Sequence, residues 1–234
     1  MDDFANALGS AIDLVTRLEA DLVEIVTLSL RVTLSAVALA TLIGLPLGAA
    51  AALLRFPGRG AVVALLNAFM GLPPVVVGLV VYLLLSRAGP LGPLGLLFTP
   101  TAMIIAQCVL VTPIVAALTR QTVADLDEEY DEQMRSLGTG TGRRVLTLLW
   151  DGRFSLLTAV LAGFGRASAE VGAVMIVGGN IAHVTRTMTT AIALETTKGN
   201  VALALGLGVV LITISLGVTA TAMAIRDVAH RRYG

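Results

Sequence analysis

Apolar residues fall into five long runs, at about 22–54, 60–85, 98–119, 154–178 and 200–224. A bilayer core about 30 Å thick takes roughly 20 residues of helix, so each run predicts one membrane-spanning helix. At about 1.5 Å per residue, the first run is long enough to tilt or to project beyond the bilayer. Between the third and fourth runs the pattern changes. Residues 125–138 read Asp-Leu-Asp-Glu-Glu-Tyr-Asp-Glu-Gln-Met-Arg-Ser-Leu-Gly. Acids crowd the first turns, Asp131 stands four before Arg135, and Gly138 follows the last periodic position. Dipole, ion pair and stop signal together predict one short helix. A second helix is expected from Thr141, with that threonine as N-cap. Its apolar face of Val145, Leu146, Leu148 and Leu149 ends at Trp150. A helix, turn and helix hung between spans predicts a surface for a soluble partner.

Composition sets the same frame. The 234 residues are 56% hydrophobic and only 14% charged, with a mean hydropathy of +0.88, far outside the range of a soluble domain. The expected architecture is an all-α integral membrane protein, with residues 1–234 as a single transmembrane domain. It comprises an N-terminal outer tail (1–21), a charged loop (120–153) and an outer loop (179–200). The start, Met-Asp-Asp-Phe, is acidic, whereas a cleavable signal wants a basic start and a short apolar core; residues 1–21 therefore read as a mature amphipathic tail. Arg55, Arg59, Arg120, Arg135, Arg143, Arg144, Arg153, Arg226, Arg231 and Arg232 fall on one side of the five spans. Arg17, Arg87, Arg186 and Lys198 fall on the other. The positive-inside rule then predicts an outer N-terminus, with the charged loop and C-terminus cytoplasmic. A formal net charge of zero gives no reason to expect nucleic acid.

Candidate chemistry is sparse. Cys108, the single cysteine, sits mid-span and reads as a small buried hydrophobe. His183 and His230 are isolated from each other, and no set of ligands is read around either, so no metal site is expected. The run Gly138-Thr-Gly-Thr-Gly142 lacks the Gly-Lys-Ser/Thr of a phosphate loop and reads as a turn. No Ser/His/Asp grouping points to hydrolysis, and no enzyme is expected. Gly44-Leu-Pro46-Leu-Gly48 and Gly71-Leu-Pro73-Pro74 predict close helix packing with bends or breaks in the first two spans. The fourth span carries Arg166 and Glu170. A charge at the bilayer centre costs about 2.5–3.5 kcal/mol on insertion scales, so both should face protein or water. Four residues apart, they are expected to share one helix face, either as a buried pair locking neighbouring helices or as an anion-facing lining. The outer loop offers several threonines and Arg186, which composition alone reads as solvated.

The charged loop resembles that of permease subunits of ATP-binding-cassette importers. Their pattern of Glu-Ala-Ala, three residues and Gly is met by Glu132-Gln-Met134-Arg135-Ser136-Leu137-Gly138 at Glu132 and Gly138; the alanines are absent, and Trp150-Asp151 stands at the spacing of the usual Leu-Pro. The stretch Gly165-Arg166-Ala-Ser-Ala-Glu170-Val-Gly172 onward through Gly178-Gly179-Asn180 to Thr190 is similar to permeases of oxyanion importers. It is closest to the tungstate branch, with molybdate and sulfate permeases as neighbours, and Gly89-Pro-Leu-Gly-Pro-Leu-Gly-Leu-Leu-Phe-Thr-Pro100 is similar to that branch too. The resemblance implies a type I importer fold, five spans with a cytoplasmic coupling helix-turn-helix, in a prokaryotic inner membrane. It implies a second copy of the chain, a cytoplasmic ATPase dimer that holds ATP and Mg, an extracytoplasmic oxyanion-binding protein, and no cofactor on this chain. It places ATPase coupling on Glu132, Met134, Arg135, Ser136, Leu137 and Gly138, and intramembrane polar roles on Arg166, Glu170 and Asn180. Two other classes stand beside it. A secondary transporter would use Arg166 and Glu170 for ion coupling, although no inverted repeat is seen; a scaffold would have no use for bent spans.

Overall fold

The computed structural model describes residues 20–233, with side chains over 21–228. Every regular element among them is helical: α1 (Ala20–Leu53), α2 (Arg59–Phe69), α3 (Pro74–Leu85), a short 3-10 turn (Gly92–Leu94), α4 (Pro100–Ser136), α5 (Thr141–Asp151), α6 (Arg153–Ser168), α7 (Gly172–Gly178), α8 (Met188–Thr197) and α9 (Val201–Tyr233). Except for its last two residues, the expected tail over 1–21 lies outside the described residues, as does the side chain of His230. Asp21–Leu53, Pro100–Ser136 and Val201–Val228 are each long and apolar enough to cross a bilayer, and the number rises to as many as five where each of two sharply bent helix pairs counts as one span. This is the all-α membrane architecture that the apolar runs predict.

Proline explains one break and not another. The second run divides into α2 and α3, because Pro73 caps α3 in extended backbone and Pro74 occupies its first turn, where a missing N–H costs nothing. The first run does not break: α1 continues through Pro46, as α4 does through Pro113. The chain divides into two compact units. One takes the described residues up to Ala36 with Pro73–Gln107 and Ala167–Thr221; the other takes Val37–Leu72, Cys108–Arg166 and the described residues from Ala222.

In the first unit, α3 packs along α7 through Val77, Gly78 and Val81 on one side and Ala173, Val174 and Val177 on the other, all buried. A Cβ on Gly78 would stand 2.7 Å from the Ala173 Cα, so the approach requires glycine. A second cluster joins Leu22 of α1, Met188 and Ala191 of α8 and Leu207 of α9. In the second unit, Gly44 and Gly48 of α1 lie against Val115, Ala116 and Thr119 of α4, as the small-residue spacing predicts. Beyond them Ala49, Ala52, Val123, Met134 and Leu148 form a buried core.

Four expectations require correction. The charged helix is not separate: α4 is one helix of 37 residues that carries the acidic segment on the end of the third span. Acids in its middle signal solvent, not a new N-terminus. Thr141 is not the N-cap of α5; Gly140 holds that place with no side-chain bond. The fourth run is not one helix, since α6 stops at Ser168 and the seven-residue α7 starts at Gly172. The outer loop is not plain loop: it contains α8, entered through a capping box in which Thr187 and Thr190 bond reciprocally. Cys108 is half-buried, and Thr112 bonds back to its carbonyl at 2.7 Å.

Candidate functional site

The charged end of α4 and the whole of α5 form a braced hairpin. Gly138 has φ +62°, the Gly138 N–H reaches the Arg135 carbonyl at 3.0 Å, and the Thr139 N–H reaches that of Met134 at 3.1 Å. This paired closure needs a left-handed residue after the helix, which is the stop read from the sequence. The expected Asp131–Arg135 pair is present at 2.9 Å, but Arg135 is mostly exposed. The stronger brace is Arg144 of α5, which the sequence reading treats only as a positive charge. Its Nη2 bonds Asp131 at 2.6 Å and its Nε bonds Asp127, tying the hairpin across 13 and 17 positions. Arg59 bonds the Ala51 and Ala52 carbonyls at 2.8 and 2.6 Å, closing the end of α1. These arginines, with Arg55, Asp127, Glu128 and Asp131, line an open cavity of about 500 Å³.

Of the loop residues singled out in the sequence, Glu132, Arg135, Ser136, Leu137 and Gly138 are exposed, while Met134 is buried in the core beneath them. The apolar face of α5 is divided. Leu148 is fully buried, with Val145 and Leu149 packed beside it, whereas Leu146 and Trp150 point outward. Leu137, Leu146 and Trp150 are 78%, 70% and 68% exposed. Arg153 lies over the Trp150 ring at 5.0 Å and the Phe154 ring at 4.6 Å. Replacing Arg144 with Ala strips two carboxylates of charge-assisted bonds and is expected to cost about 1–2 kcal/mol of loop stability. Amide exchange over 127–151 should accelerate roughly 5- to 30-fold; unchanged exchange would show that Arg144 does not brace the hairpin.

The first unit holds a buried polar node. Glu170 is not on a helix face with Arg166; it lies in the break after α6, only 3% exposed. Its Oε1 accepts the Ala173 N–H at 2.9 Å, satisfying the start of α7. The Glu170 carbonyl accepts the Thr189 hydroxyl at 2.8 Å. Gln107, which the sequence reading passes over as one polar residue in an apolar run, donates to the Ala167 carbonyl at 3.1 Å. A buried Gln facing a chain break is how the freed carbonyls of such a break are satisfied in lipid. Asn180 sits at φ +49° and donates to the Thr190 carbonyl at 3.3 Å, with its Oδ1 buried and unbonded among the described residues. Thr185, Thr187 and Thr190 are buried, and Thr185 closes on the Gly178 carbonyl at 2.6 Å. These three threonines are thus structural rather than solvated, while Thr196 and Thr197 are exposed.

His183 has a carboxylate partner that no sequence spacing shows. Its Nδ1 lies 2.9 Å from Glu24 Oε2, 159 positions away. That bond, with the charges of Glu24 and Asp21, raises the imidazole pKa above its ordinary value. The first unit also shows Arg31 exposed on α1, a charge inside the first run.

Binding-protein-dependent transport system inner membrane component is the description of the family that matches residues 44–233. The chain belongs to that family. It is 42% identical over 185 residues to a probable anion ABC transporter permease protein of Haloferax volcanii, covering 77% of this chain and 80% of the relative. It is 38% identical over 200 residues, 86% and 88% of the two chains, to a tungstate uptake system permease protein of Peptoclostridium acidaminophilum. A tungstate uptake system permease of Campylobacter jejuni is 45% identical over 133 residues, 57% and 56% of the two chains. The protein is therefore a membrane component of a transport system, with the helical fold of that family.

Proposed function

We propose that the chain is the permease of an ABC importer for an oxyanion, tungstate first, with molybdate or sulfate as the alternative cargo. The observation that carries this reading is the likeness to a tungstate permease over 86% of the chain, joined to a braced hairpin that presents Leu137, Leu146 and Trp150 to solvent. In this reading two copies enclose the pathway and an extracytoplasmic binding protein delivers the oxyanion. A cytoplasmic ATPase dimer, which holds ATP and Mg, drives the change of access. In this reading the N-terminus is outside and the C-terminus and hairpin are cytoplasmic, an orientation that the arginine distribution supports.

The hairpin is suited to transmit force. Exposed Glu132, Arg135, Ser136, Leu137 and Gly138 meet the ATPase, while buried Met134 and the Arg144 brace fix them to the cytoplasmic part of the bundle, so rotation of the ATPase subunits moves the spans as packed bodies. Glu170 and Asn180 hold the breaks around α7, and Arg166 and Arg31 supply positive charge along the chain's apolar segments. Chemistry stays with the partner: this chain binds no nucleotide and breaks no bond.

The test is reconstitution of the chain with its ATPase in vesicles. Binding protein loaded with tungstate should raise ATP hydrolysis several-fold over unloaded binding protein. Hydrolysis indifferent to loaded binding protein, or tungstate movement without ATP, would overturn the importer reading in favour of a secondary transporter.

A further inference from the structure

The corner where α1 begins holds three metal-ligating groups that the transport reading does not use. Asp21 and Glu24 stand one turn apart on the first turn of α1, and His183 reaches them from the segment between α7 and α8. One ligand atom from each lies within 4.8 Å of the other two, and the His183 Nδ1 to Glu24 Oε2 separation is 2.9 Å. Around a metal with bonds of about 2.0–2.2 Å, adjacent ligand atoms stand roughly 3–3.5 Å apart, so small side-chain shifts suffice to close the shell. All three side chains are exposed; the His183–Glu24 contact accounts for two of the groups, and Asp21, in the first turn of α1, brings a third ligand atom within reach of both.

Two further features suit a cation. All three residues line one cavity of about 140 Å³, whose other walls include Leu22, Ile25 and Leu207. A water takes about 30 Å³, so an ion and a few bound waters fit. The charged lining is Asp21, Glu24 and Glu195 against Arg186; Glu195 is already paired with Lys198 at 2.8 Å, so Asp21 and Glu24 are the carboxylates turned to the corner, and two carboxylates there favour a divalent cation over an anion. We infer that Asp21, Glu24 and His183 form a site for a divalent transition-metal cation of the Zn²⁺ class. One imidazole nitrogen and two carboxylate oxygens match that class, with water completing the shell, whereas Mg²⁺ and Ca²⁺ prefer oxygen alone. The neutral imidazole binds through Nδ1 with its proton on Nε2. Occupancy would tie the start of α1 to the segment before α8, elements 159 positions apart.

The experiment uses the purified full-length chain in detergent, stripped of metal and free of any histidine tag. Zn²⁺ is titrated against a chromophoric chelator, and thermal unfolding is followed with and without Zn²⁺. One Zn²⁺ per chain should bind with a dissociation constant on the order of micromolar, and melting should shift upward with Zn²⁺ but not with Mg²⁺. His183→Ala, and separately Asp21→Asn with Glu24→Gln, should weaken binding about tenfold or more and abolish the melting shift; Cys108→Ser and His230→Gln should change neither. The isosteric Asn/Gln variant keeps the test sound if the Ala variant folds poorly. No Zn²⁺ bound at about 100 times the expected constant, or equal binding by wild type and both ligand variants, would overturn the site.

Discussion

Gly48→Leu is expected to remove most of the folded protein. A Cβ at position 48 would stand 2.4 Å from the Ala116 carbonyl oxygen, 2.6 Å from the Thr119 Cβ and 2.9 Å from the Arg120 amide nitrogen. Two of those atoms are backbone and cannot swing aside, so α1 and α4 must part. Gly44, one turn earlier, is nearly as close to Val115 and Ala116, and the core of Ala49, Ala52, Val123, Met134 and Leu148 lies just beyond. Parting the helices at Gly48 therefore loosens packing well past the clash itself. Overpacking of a tight core costs about 1–3 kcal/mol and occasionally more; two rigid backbones in contact place this variant at or above the upper end. Gly48→Ala should show a smaller loss in the same direction, because the Cβ alone makes the clash. Gly165→Ala, where an added Cβ meets nothing within 4 Å, is the control and should melt like wild type. Thermal unfolding in detergent and protein abundance in membranes check this; a wild-type melting profile for Gly48→Leu would contradict the close approach of α1 and α4.

The second large effect concerns coupling, with folding unaffected. The double variant Leu137→Asp, Leu146→Asp should insert normally, because both side chains are largely exposed, yet fail to transport. An apolar anchor at a protein interface is worth about 2 kcal/mol when truncated, roughly 30-fold in affinity at about 1.4 kcal/mol per decade. Placing carboxylates there adds a desolvation cost. Co-purification of the ATPase should drop sharply, and ATP hydrolysis should no longer answer to loaded binding protein. Gly138→Val should lean the same way for a different reason: φ +62° is hostile to a β-branched residue, so the helix closure at Thr139 would be lost and Leu137 would turn away. Normal ATPase retention in both variants would show that the hairpin is not the docking surface.

How much of this was readable from the sequence depended on whether the signal was local. Hydropathy alone places all the long helices, since a run of apolar residues has no other use in lipid. Gly138 was legible as a stop and Gly44 and Gly48 as a packing seam, because both rest on glycine's missing Cβ. The acidic segment misled: acids at 125–132 look like the start of a helix by dipole logic, but α4 had already been nucleated within the third span, and continuing it costs less than restarting. The fourth run misled by the opposite route, for nothing in Ala-Ser-Ala-Glu170-Val-Gly172 is a strong breaker. The break is held by partners distant in sequence, Gln107 on Ala167 and Thr189 on Glu170. Arg144 and the Glu24–His183 contact were invisible for the same reason, since a chain shows its charges but not which of them meet across 17 or 159 positions.

The most direct measurement is cellular tungsten, molybdenum and sulfur content by mass spectrometry, in a strain lacking this gene and with the gene restored, at nanomolar oxyanion supply. Tungsten should fall on deletion and return on restoration, while molybdenum and sulfur hold steady. Tungsten content unchanged by deletion would contradict the tungstate reading.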